Sequence, residues 1–372
     1  MNQKRNKNII ISGGGTGGHI FPAISIANAI KAIEPKCNIL FVGALGKIEM
    51  EKVPAAGYEI IGLPVAGLHR RLTIKNLSFI FKLIKSLNKA KQIIKSFNPD
   101  VVVGVGGYAS GPVLWMASKK GIPTLIQEQN SYAGVTNKLL AKKAKKICVA
   151  YEGMEKYFPA QKIILTGNPV RQDLLDKIGS RDEAIKYFDL DENKKTILVV
   201  GGSLGARTIN QSIISGIELI GKSEFQLLWQ TGKYYFNDAK TQADASGFKN
   251  IKVNDFIVRM DMAYAAADII VSRAGAGTIS ELCLVGKPVI LVPSPNVAED
   301  HQTKNAMALV NKNAALMVKD SEANEKLIDT TLNLLDDENK MMELSVNIKA
   351  MALRDSAKII AEEVLKLYKE MK

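Results

Sequence analysis

The chain has 372 residues, more than one average domain needs, and 47% of them are hydrophobic, which is enough for two cores. No apolar run approaches the roughly 18 residues that a membrane-spanning helix requires. The formal net charge of +13 is unevenly distributed: residues 1–170 carry 24 basic residues against 8 acidic ones, and the rest carry 26 against 29. The first half of the chain therefore predicts an anionic partner or surface.

The cysteines and the N-terminus argue against a secreted protein. Cys37, Cys148 and Cys283 lie far apart and form no CxxC pair, which excludes a disulfide framework or a zinc site built on such pairs. The apolar stretch that follows Lys4, Arg5 and Lys7 is too short for a signal peptide. We therefore expect a protein with reduced thiols that is kept inside the cell.

Short apolar runs alternate with helical patterns along the whole chain, which predicts parallel βαβ units in an α/β fold. The pattern starts afresh at Thr196–Val200, so two similar doubly wound domains are expected. Their join is placed near Gly167–Arg171, where Pro169 ends any helix. A last amphipathic helix, Ser356–Lys369, is expected to pack back onto the first domain. The other predicted strands are Asn8–Ser12, Asn38–Val42, Tyr58–Leu63, Val101–Val105, Pro123–Gln127, Ile147–Val149, Ile163–Leu165, Phe225–Gln230, Asp268–Ser272 and Pro288–Val292.

The most informative segment is Gly13–His19, with the sequence GGGTGGH. It follows the first apolar run and precedes a helical pattern, and a strand, a glycine turn and a helix together predict an anion site. Glycine allows positive φ angles and brings backbone N–H groups close to a ligand. His19 stands at the start of the helix, where a group of near-neutral pKa can act as a base.

The spacing of Gly13, Gly15 and Gly18 also fits the dinucleotide-binding fingerprint. That fingerprint expects an acidic residue at the end of the second strand to hold a ribose. Here the run Asn38–Val42 continues into Gly43, Ala44 and Leu45 without a carboxylate. A nicotinamide or flavin cofactor is therefore disfavoured.

A second strand-to-helix turn spans Ser272–Glu281. The hydroxyls of Thr278 and Ser280 and the N–H groups of the first helical turn are placed to face an anionic ligand. Glu281 is placed to accept hydrogen bonds from a ribose diol. A hydroxyl followed three residues later by Glu is equally typical of a helix-capping arrangement, and the sequence leaves both interpretations open.

Further polar loops follow predicted strands at Gly104–Pro112, Gln127–Ser131 and Asp300–Asn305. Because the carboxyl ends of parallel strands meet at one edge of a sheet, these loops predict a cleft between domains that binds phosphates and hydroxyls. Asp189 and Asp191 resemble a metal-binding pair, but they lie in a polar turn, and no metal site is predicted there.

The segment Ile74–Phe97 is predicted to be an amphipathic helix. One interpretation is an ordinary helix whose apolar side faces the core and whose charged side faces solvent. The other is a surface that docks on acidic lipid headgroups, each Lys or Arg contributing about 1 kcal/mol. Nucleic acid is the less favoured anion because no recognition motif accompanies the basic residues. The apolar side carries Leu77, Ile80, Phe81, Ile84 and Leu87, and the other side carries Lys75, Lys82, Lys85 and Lys89.

Six motifs, in this order along the chain, resemble the MurG family of N-acetylglucosaminyltransferases. The resemblance runs from about residue 8 to the last helix and implies a GT-B fold, with two Rossmann-like domains that face each other across a cleft. The domains implied are residues 1–168, with the helix at 350–372 packed back on them, and residues 169–349. The motifs are Gly14–His19, Gly106–Pro112, Glu128–Asn130, Gly167–Arg171, Gly201–Ala206 and Arg273–Glu281.

The resemblance also implies roles for individual residues. Glu281 would bind the ribose, the backbone of Ile257 would bind uracil, and His19 would be the catalytic base. Tyr108 and Glu128 would face the lipid-linked acceptor. This sequence departs from the family at Gln127, where a histidine is usual; a neutral amide is no proton acceptor, so a catalytic role there does not transfer. The other implied donor-binding residues are Thr16, Gly17, Gly18, Asn130, Arg171, Ser203, Ala276, Gly277, Thr278, Ile279, Ser280 and Gln302.

The implied reaction is inverting transfer of GlcNAc from UDP-GlcNAc to the muramyl 4-hydroxyl of undecaprenyl-pyrophosphoryl-MurNAc-pentapeptide, a step of peptidoglycan and cell-wall synthesis. No obligatory cofactor is expected, with a divalent cation only as an aid to departure of the diphosphate. The implied location is peripheral, on the cytoplasmic face of the inner membrane, held by the basic first domain. Two alternatives stay open: a UDP-GlcNAc epimerase of the same architecture, and a non-catalytic nucleotide-binding membrane adaptor.

Overall fold

The computed structural model describes residues 5–65, 75–170, 179–202 and 204–370, apart from the side chains at 75–78, 80 and 298. The chain divides into two α/β units. The first comprises Met1–Val170 and Asp355–Lys372, and the second comprises Arg171–Arg354. The boundaries predicted from the sequence, after residues 168 and 349, lie two and five residues earlier.

The first unit is built on a seven-stranded parallel sheet with the order β3-β2-β1-β4-β5-β6-β7. Alternate residues of β1 enter different cores, with Ile9 and Ile11 on one face and Ile10 on the other. Both faces are covered by helices, as parallel sheets require. The strands are β1 (Asn8–Ser12), β2 (Asn38–Ala44), β3 (Glu59–Leu63), β4 (Val101–Gly104), β5 (Thr124–Glu128), β6 (Lys146–Val149) and β7 (Ile163–Leu165).

Among the described residues, five α-helices lie in the first unit before its boundary at Val170. The strand order reverses between β1 and β4, and such a switch point is where α/β sheets bind ligands, beyond the carboxyl ends of the strands. The helices are α1 (Gly17–Ile33), α2 (Glu49–Ala55), α3 (Lys75–Phe97), α4 (Ser110–Lys119) and α5 (Val135–Leu140).

The second unit repeats this plan with a six-stranded parallel sheet of order β10-β9-β8-β11-β12-β13. Its switch point lies between β8 and β11. The two edge strands of this sheet, β10 and the two-residue β13, were not predicted from the sequence. The strands are β8 (Thr196–Val200), β9 (Gln226–Gln230), β10 (Ile251–Asn254), β11 (Ile269–Ser272), β12 (Val289–Leu291) and β13 (Leu316–Met317).

The last helix returns to the first unit. Its residues Ile360 and Val364 are fully buried in one core with Ile20 and Ile26 of α1. In the part of the chain that the structure describes, no helix is both long and apolar enough to cross a bilayer. The remaining helices are α6 (Arg181–Phe188), α7 (Arg207–Ser215), α8 (Ile217–Lys222), α9 (Phe236–Ser246), α10 (Met260–Ala266), α11 (Ala276–Val285), α12 (His301–Val310), α13 (Ala323–Asp336), α14 (Glu338–Ala350) and α15 (Ser356–Lys369).

Candidate active site

Two glycine loops meet at the switch point of the first sheet. Gly14 and Gly15 have φ angles of +143° and +92°, and Gly106 and Gly107 have φ angles of +90° and +80°. A Cβ on Gly107 would lie 2.2 Å from the carbonyl oxygen of Gly14, so the two backbones touch where side chains would keep them apart. Glycine is required here both for the backbone angles and for the close approach.

His19 is held between these loops. It is the third residue of α1, and its Nδ1 lies 3.1 Å from the hydroxyl oxygen of Thr16, the N-cap residue of that helix. The ring packs against Gly106, and the side chain is half-buried. A base that acts through Nε2 requires Nδ1–H to donate to the Thr16 hydroxyl, and this geometry permits that tautomer.

Glu49 anchors the first glycine loop, and the sequence analysis did not single it out. Its buried carboxylate accepts a hydrogen bond from the Gly15 amide at 3.0 Å to each oxygen and from the Ala44 amide at 2.9 Å. The second strand has no carboxylate at its tip, as the sequence indicates, but it has one at the start of the next helix. The signal in the sequence for Glu49 was an acidic residue in the segment that follows an apolar strand.

Glu128 is 2% exposed. Its Oε1 accepts hydrogen bonds from both nitrogens of Asn130, and its Oε2 accepts from the backbone amide of Gly134 and the side-chain amide of Asn137. Its carboxylate therefore shapes the loop that carries Asn130. Tyr108, by contrast, is 57% exposed at the second glycine loop. Of the two residues assigned to the acceptor, Tyr108 is accessible in this structure, and the role of Glu128 in acceptor binding stays a prediction.

Gln127 lies in a buried network of amides. Its Nε2 donates to Asn168 Oδ1 at 3.1 Å, and its Oε1 accepts from Gln129. Asn168 in turn donates to the carbonyl of Gln129 at 3.0 Å. Gln127 is fully buried, so it ties the end of β5 to the segment around Asn168. This position joins two parts of the first unit and presents no proton acceptor to solvent.

In the second unit, Gln230 connects the glycine loop after β8 with Ile257. Its Nε2 donates to the carbonyl of Gly202 at 3.2 Å, and its Oε1 accepts from the Ile257 amide at 2.9 Å. The backbone N–H of Ile257 is therefore engaged within the protein. Gln230 was also missed, although it is a polar residue at the end of an apolar strand. Ser203 and Arg171, two of the predicted donor-binding residues, lie outside the described residues.

Helix α11 begins at Ala276 with Gly275 as its N-cap, and no side chain caps it. The capping alternative for the hydroxyl and Glu pair is therefore wrong, because Thr278 lies inside the first turn. A Cβ on Gly277 would have no heavy atom within 4 Å, so space is open beside this turn. Ser280 Oγ donates to the Ala276 carbonyl at 3.1 Å. The N-terminus of α11 thus keeps the character of an anion site.

Ile279 and Glu281 have different surroundings on the same helix. The side chain of Ile279 is buried, and its amide donates to the Gly275 carbonyl at 2.9 Å. It supports the helix start from within the core, and a contact of Ile279 with the donor stays a prediction. Glu281, in contrast, is half-buried.

Gln302 joins the two loops that flank α11. Its Oε1 accepts from the amides of Ala274 at 3.2 Å and Ser294 at 2.8 Å. Arg273 adds a second tie, because it donates to the Val292 carbonyl and forms an ion pair with Asp320. The loop after β11 is therefore fixed from both sides by contacts within the protein.

Comparison with known proteins identifies the family. Residues 9–149 match the glycosyltransferase family 28 N-terminal domain, and residues 196–360 match its C-terminal domain. A relative from Bacteroides fragilis, named UDP-N-acetylglucosamine--N-acetylmuramyl-(pentapeptide) pyrophosphoryl-undecaprenol N-acetylglucosamine transferase, is 61% identical over 99% of both chains. The crystal structure of Acinetobacter baumannii MurG superposes with a TM-score of 0.81, at 28% identity over 97% of this chain and 99% of that one.

The chain belongs to the MurG family of family 28 glycosyltransferases. Its two parallel α/β units are those of the GT-B architecture, as the resemblance implied. A UDP-GlcNAc 2-epimerase from Neisseria meningitidis also superposes, with a TM-score of 0.67 at 16% identity over 97% of this chain and 100% of that one. That second likeness shows a shared fold alone, so MurG membership rests on sequence and on the site motifs.

Proposed function

We infer that this MurG family member transfers GlcNAc from UDP-GlcNAc to the muramyl 4-hydroxyl of undecaprenyl-pyrophosphoryl-MurNAc-pentapeptide. The observation that carries this inference is the 61% identity, over 99% of both chains, to a relative named for that reaction. The two sites described above supply what the chemistry needs: a histidine beside a hydroxyl-lined loop, and a helix N-terminus suited to a diphosphate.

The nucleoside of the donor is assigned to the second unit. Glu281 accepts hydrogen bonds from the ribose hydroxyls. Because the Ile257 amide donates to Gln230, the free backbone group for uracil at this residue is the carbonyl, which suits the N3–H of the base. The proposed role of Ile257 is therefore to accept one hydrogen bond from uracil at its backbone carbonyl.

The diphosphate is assigned to the start of α11, with Gly277 and Thr278 in the first turn. As the bond from C1 of GlcNAc to the UDP oxygen breaks, negative charge grows on the diphosphate. Backbone N–H groups and the helix dipole stabilise that charge without moving. We propose that no cofactor is obligatory and that a divalent cation at most assists this departure. The side-chain amide of Gln302, whose oxygen is engaged, offers its Nε2 donors to the same group.

The acceptor hydroxyl is assigned to His19. Its Nε2 removes the proton of the 4-hydroxyl as that oxygen attacks C1, and UDP leaves from the opposite face, so the configuration at C1 is inverted. The Thr16 hydroxyl holds the other ring nitrogen and keeps the ring oriented. The assignments of Thr16, Gly17, Gly18, Asn130, Arg171 and Ser203 to the donor, and of Tyr108 to the acceptor, belong to this proposal as well.

A lipid-linked acceptor requires contact with a membrane surface, and the exposed apolar residues of α3 favour such a contact. Phe81 and Ile84, which a core-facing helix would bury, are 69% and 52% exposed, while Ser86 and Ala90 are buried instead. The interpretation of α3 as an ordinary helix with its apolar side in the core is therefore wrong for these residues. Leu77 and Ile80 lie outside the described side chains.

Exposed apolar residues continue onto the two neighbouring helices, because α3 packs on α4 and α4 packs on α5. Trp115 of α4 and Leu139 of α5 are both exposed, and the ammonium of Lys143 lies 3.5 Å from the centre of the Trp115 ring. Amphipathic aromatic and lysine side chains are typical of surfaces that rest among lipid headgroups. We propose that these helices bind the anionic cytoplasmic leaflet of the inner membrane. The lysines of this surface are Lys82, Lys85, Lys119, Lys138, Lys142 and Lys143.

The test is release of UDP from UDP-GlcNAc with and without a short-chain lipid-pyrophosphoryl-muramyl-peptide. Release that depends on the acceptor, with a disaccharide product, supports the transferase. Turnover of donor without acceptor would instead indicate an epimerase or hydrolase. Binding of donor without any turnover would leave the membrane adaptor.

A further inference from the structure

The carboxylate of Glu49 is buried beneath the glycine loop that leads to His19. Within the described residues, its hydrogen bonds come from backbone amides: from Gly15 at 3.0 Å to each oxygen and from Ala44 at 2.9 Å. Glu49 as a whole is 0% exposed. A buried carboxylate is costly unless hydrogen bonds replace its water, and here three amide contacts do so.

The surrounding backbone is shaped around this side chain. A Cβ on Gly14 would lie 2.0 Å from Glu49 Oε1, and a Cβ on Gly43 would lie 2.6 Å from Glu49 Cγ. Both glycines therefore leave room for the same side chain from opposite ends, one on the loop after β1 and one inside β2. An ordinary surface carboxylate at the start of a helix needs no such space.

The Gly15 amide that Glu49 fixes is one residue from the N-cap of α1. Thr16 follows, its carbonyl accepts the amide of His19 at 3.2 Å, and its hydroxyl oxygen lies 3.1 Å from His19 Nδ1. The position of the imidazole thus depends on the turn at Gly15. In addition, the Gly15 amide donates to a carboxylate of the protein, whereas in other glycine loops such an amide binds a phosphate.

We propose that Glu49 is a positioning residue of the transferase reaction: it holds the Gly14–Gly15 turn and, through Thr16, sets the imidazole of His19 against the acceptor hydroxyl. The proposal rests on the proposed function of the site. Glu49 itself touches no substrate, and its effect passes entirely through the loop.

The test compares Glu49→Gln, Glu49→Ala and the control Glu51→Gln in the full-length protein. Gln keeps one acceptor oxygen but places an NH₂ group against the Gly15 amide, whereas Glu51 lies on the same helix with an exposed side chain. We expect kcat to fall about 10-fold in Glu49→Gln and about 100-fold in Glu49→Ala, since small displacements of a catalytic group have effects of this size. The melting temperature of Glu49→Gln should match that of the control, because the variant keeps the fold and shifts only the loop.

A second measurement separates positioning from a general loss of structure. In a His19→Ala background, Glu49→Gln should change kcat by less than about twofold, because residues that act through one another are not additive. An equal fall of kcat in both backgrounds, or a Glu49→Gln enzyme as active as Glu51→Gln, would overturn the proposal. If the wild-type enzyme makes no disaccharide product in the same assay, it is the proposed function that fails.

Discussion

The imidazole of His19 rests on Gly106: a Cβ at position 106 would come within 2.9 Å of His19 Cδ2 and 3.0 Å of Nε2. Gly106 belongs to the loop after β4, whereas His19 belongs to the helix after β1. The switch point of the sheet therefore sets two loops against one side chain, one holding it through Thr16 and the other supporting its ring. The proposed base is therefore oriented from two directions.

Replacing Gly106 with alanine should displace that ring. We expect Gly106→Ala to lower kcat at least about 10-fold, because the new methyl group occupies space next to Nε2 and a small displacement of a base is costly. The control is Gly121→Ala: Gly121 also has a positive φ, +72°, but open space around its Cβ position. Steady-state kinetics of both variants would check this, and equal kcat values in the two would contradict it.

Loss of the imidazole itself should affect turnover and spare donor binding. We expect His19→Ala to lower kcat by about 100-fold or more, the usual contribution of a general base. The dissociation constant of UDP-GlcNAc, measured by calorimetry, should stay close to that of wild type, because the nucleoside and diphosphate are assigned to the second unit. Unchanged turnover would remove His19 from the mechanism.

The sequence predicted the central strands well because they are buried on both faces and read as continuous apolar runs. The central strands β1 and β8 have the predicted bounds, and so do the apolar edge strand β7 and helix α15. β10 and β13 were missed because each lies at an edge of the sheet, where β10 is partly exposed and polar and β13 has only two residues. Edge strands carry little of the apolar pattern from which strands are recognised.

The sequence predicted where the glycine loops lie, but it did not indicate the residues that fix them. A GGGTGGH motif after a strand is visible in the sequence, whereas the contact between Glu49 and Gly15 joins residues 34 positions apart. Gln230 and Asp320 fix the second site in the same way, by contacts that only the folded backbone creates. Local patterns indicate which loops bind a ligand; tertiary contacts decide what holds them.

Burial of the three cysteines leads to a prediction about alkali. Burial raises the pKa of Cys37 from 9.0 to about 11 and the pKa values of Cys148 and Cys283 to about 12. The neutral thiol is favoured in the folded state, so this contribution to stability is complete below pH 9 and is lost as the pH rises toward 11 to 12. Denaturant titrations should show a free energy of unfolding that falls with pH above 9, with a smaller slope in Cys283→Ala.

The same burial protects the thiols from chemical modification. At pH 8.5, iodoacetamide should label native protein far more slowly than urea-unfolded protein, since the thiolate is the reactive form. A native cysteine labelled at the unfolded rate would show that its site opens to solvent.

Gln302 should contribute to donor affinity in two separable ways. We expect Gln302→Ala to weaken UDP-GlcNAc binding about 10-fold, because the Nε2 donors to the diphosphate are lost and the loops at Ala274 and Ser294 each lose a hydrogen bond. Gln302→Glu keeps an acceptor for both amides, so its melting temperature should be close to wild type. Its binding should still be weakened, since it lacks Nε2 donors and adds negative charge near the diphosphate. Calorimetry on both variants checks this, and wild-type affinity in Gln302→Ala would contradict it.

The proposed membrane surface predicts that vesicle binding depends on both aromatic and charged groups. We expect Trp115→Ala and Lys143→Ala each to reduce binding to vesicles that contain anionic phospholipid. The two side chains are in contact, so the Trp115 ring inserts among the lipids where the Lys143 ammonium meets their headgroups. The loss for one lysine should be about fivefold, which corresponds to roughly 1 kcal/mol.

The control for charge is Lys358→Ala, which removes one exposed lysine from α15 in the same unit. Cosedimentation should show wild-type binding for this variant and reduced binding for Lys143→Ala. Added salt should weaken the wild-type interaction, since screening lowers attraction between exposed charges and the lipid surface. Binding that is independent of both anionic lipid and salt would exclude the electrostatic part of this surface. If Lys143→Ala and Lys358→Ala lost affinity equally while Trp115→Ala lost none, net charge rather than the surface formed by α3, α4 and α5 would hold the protein to the bilayer.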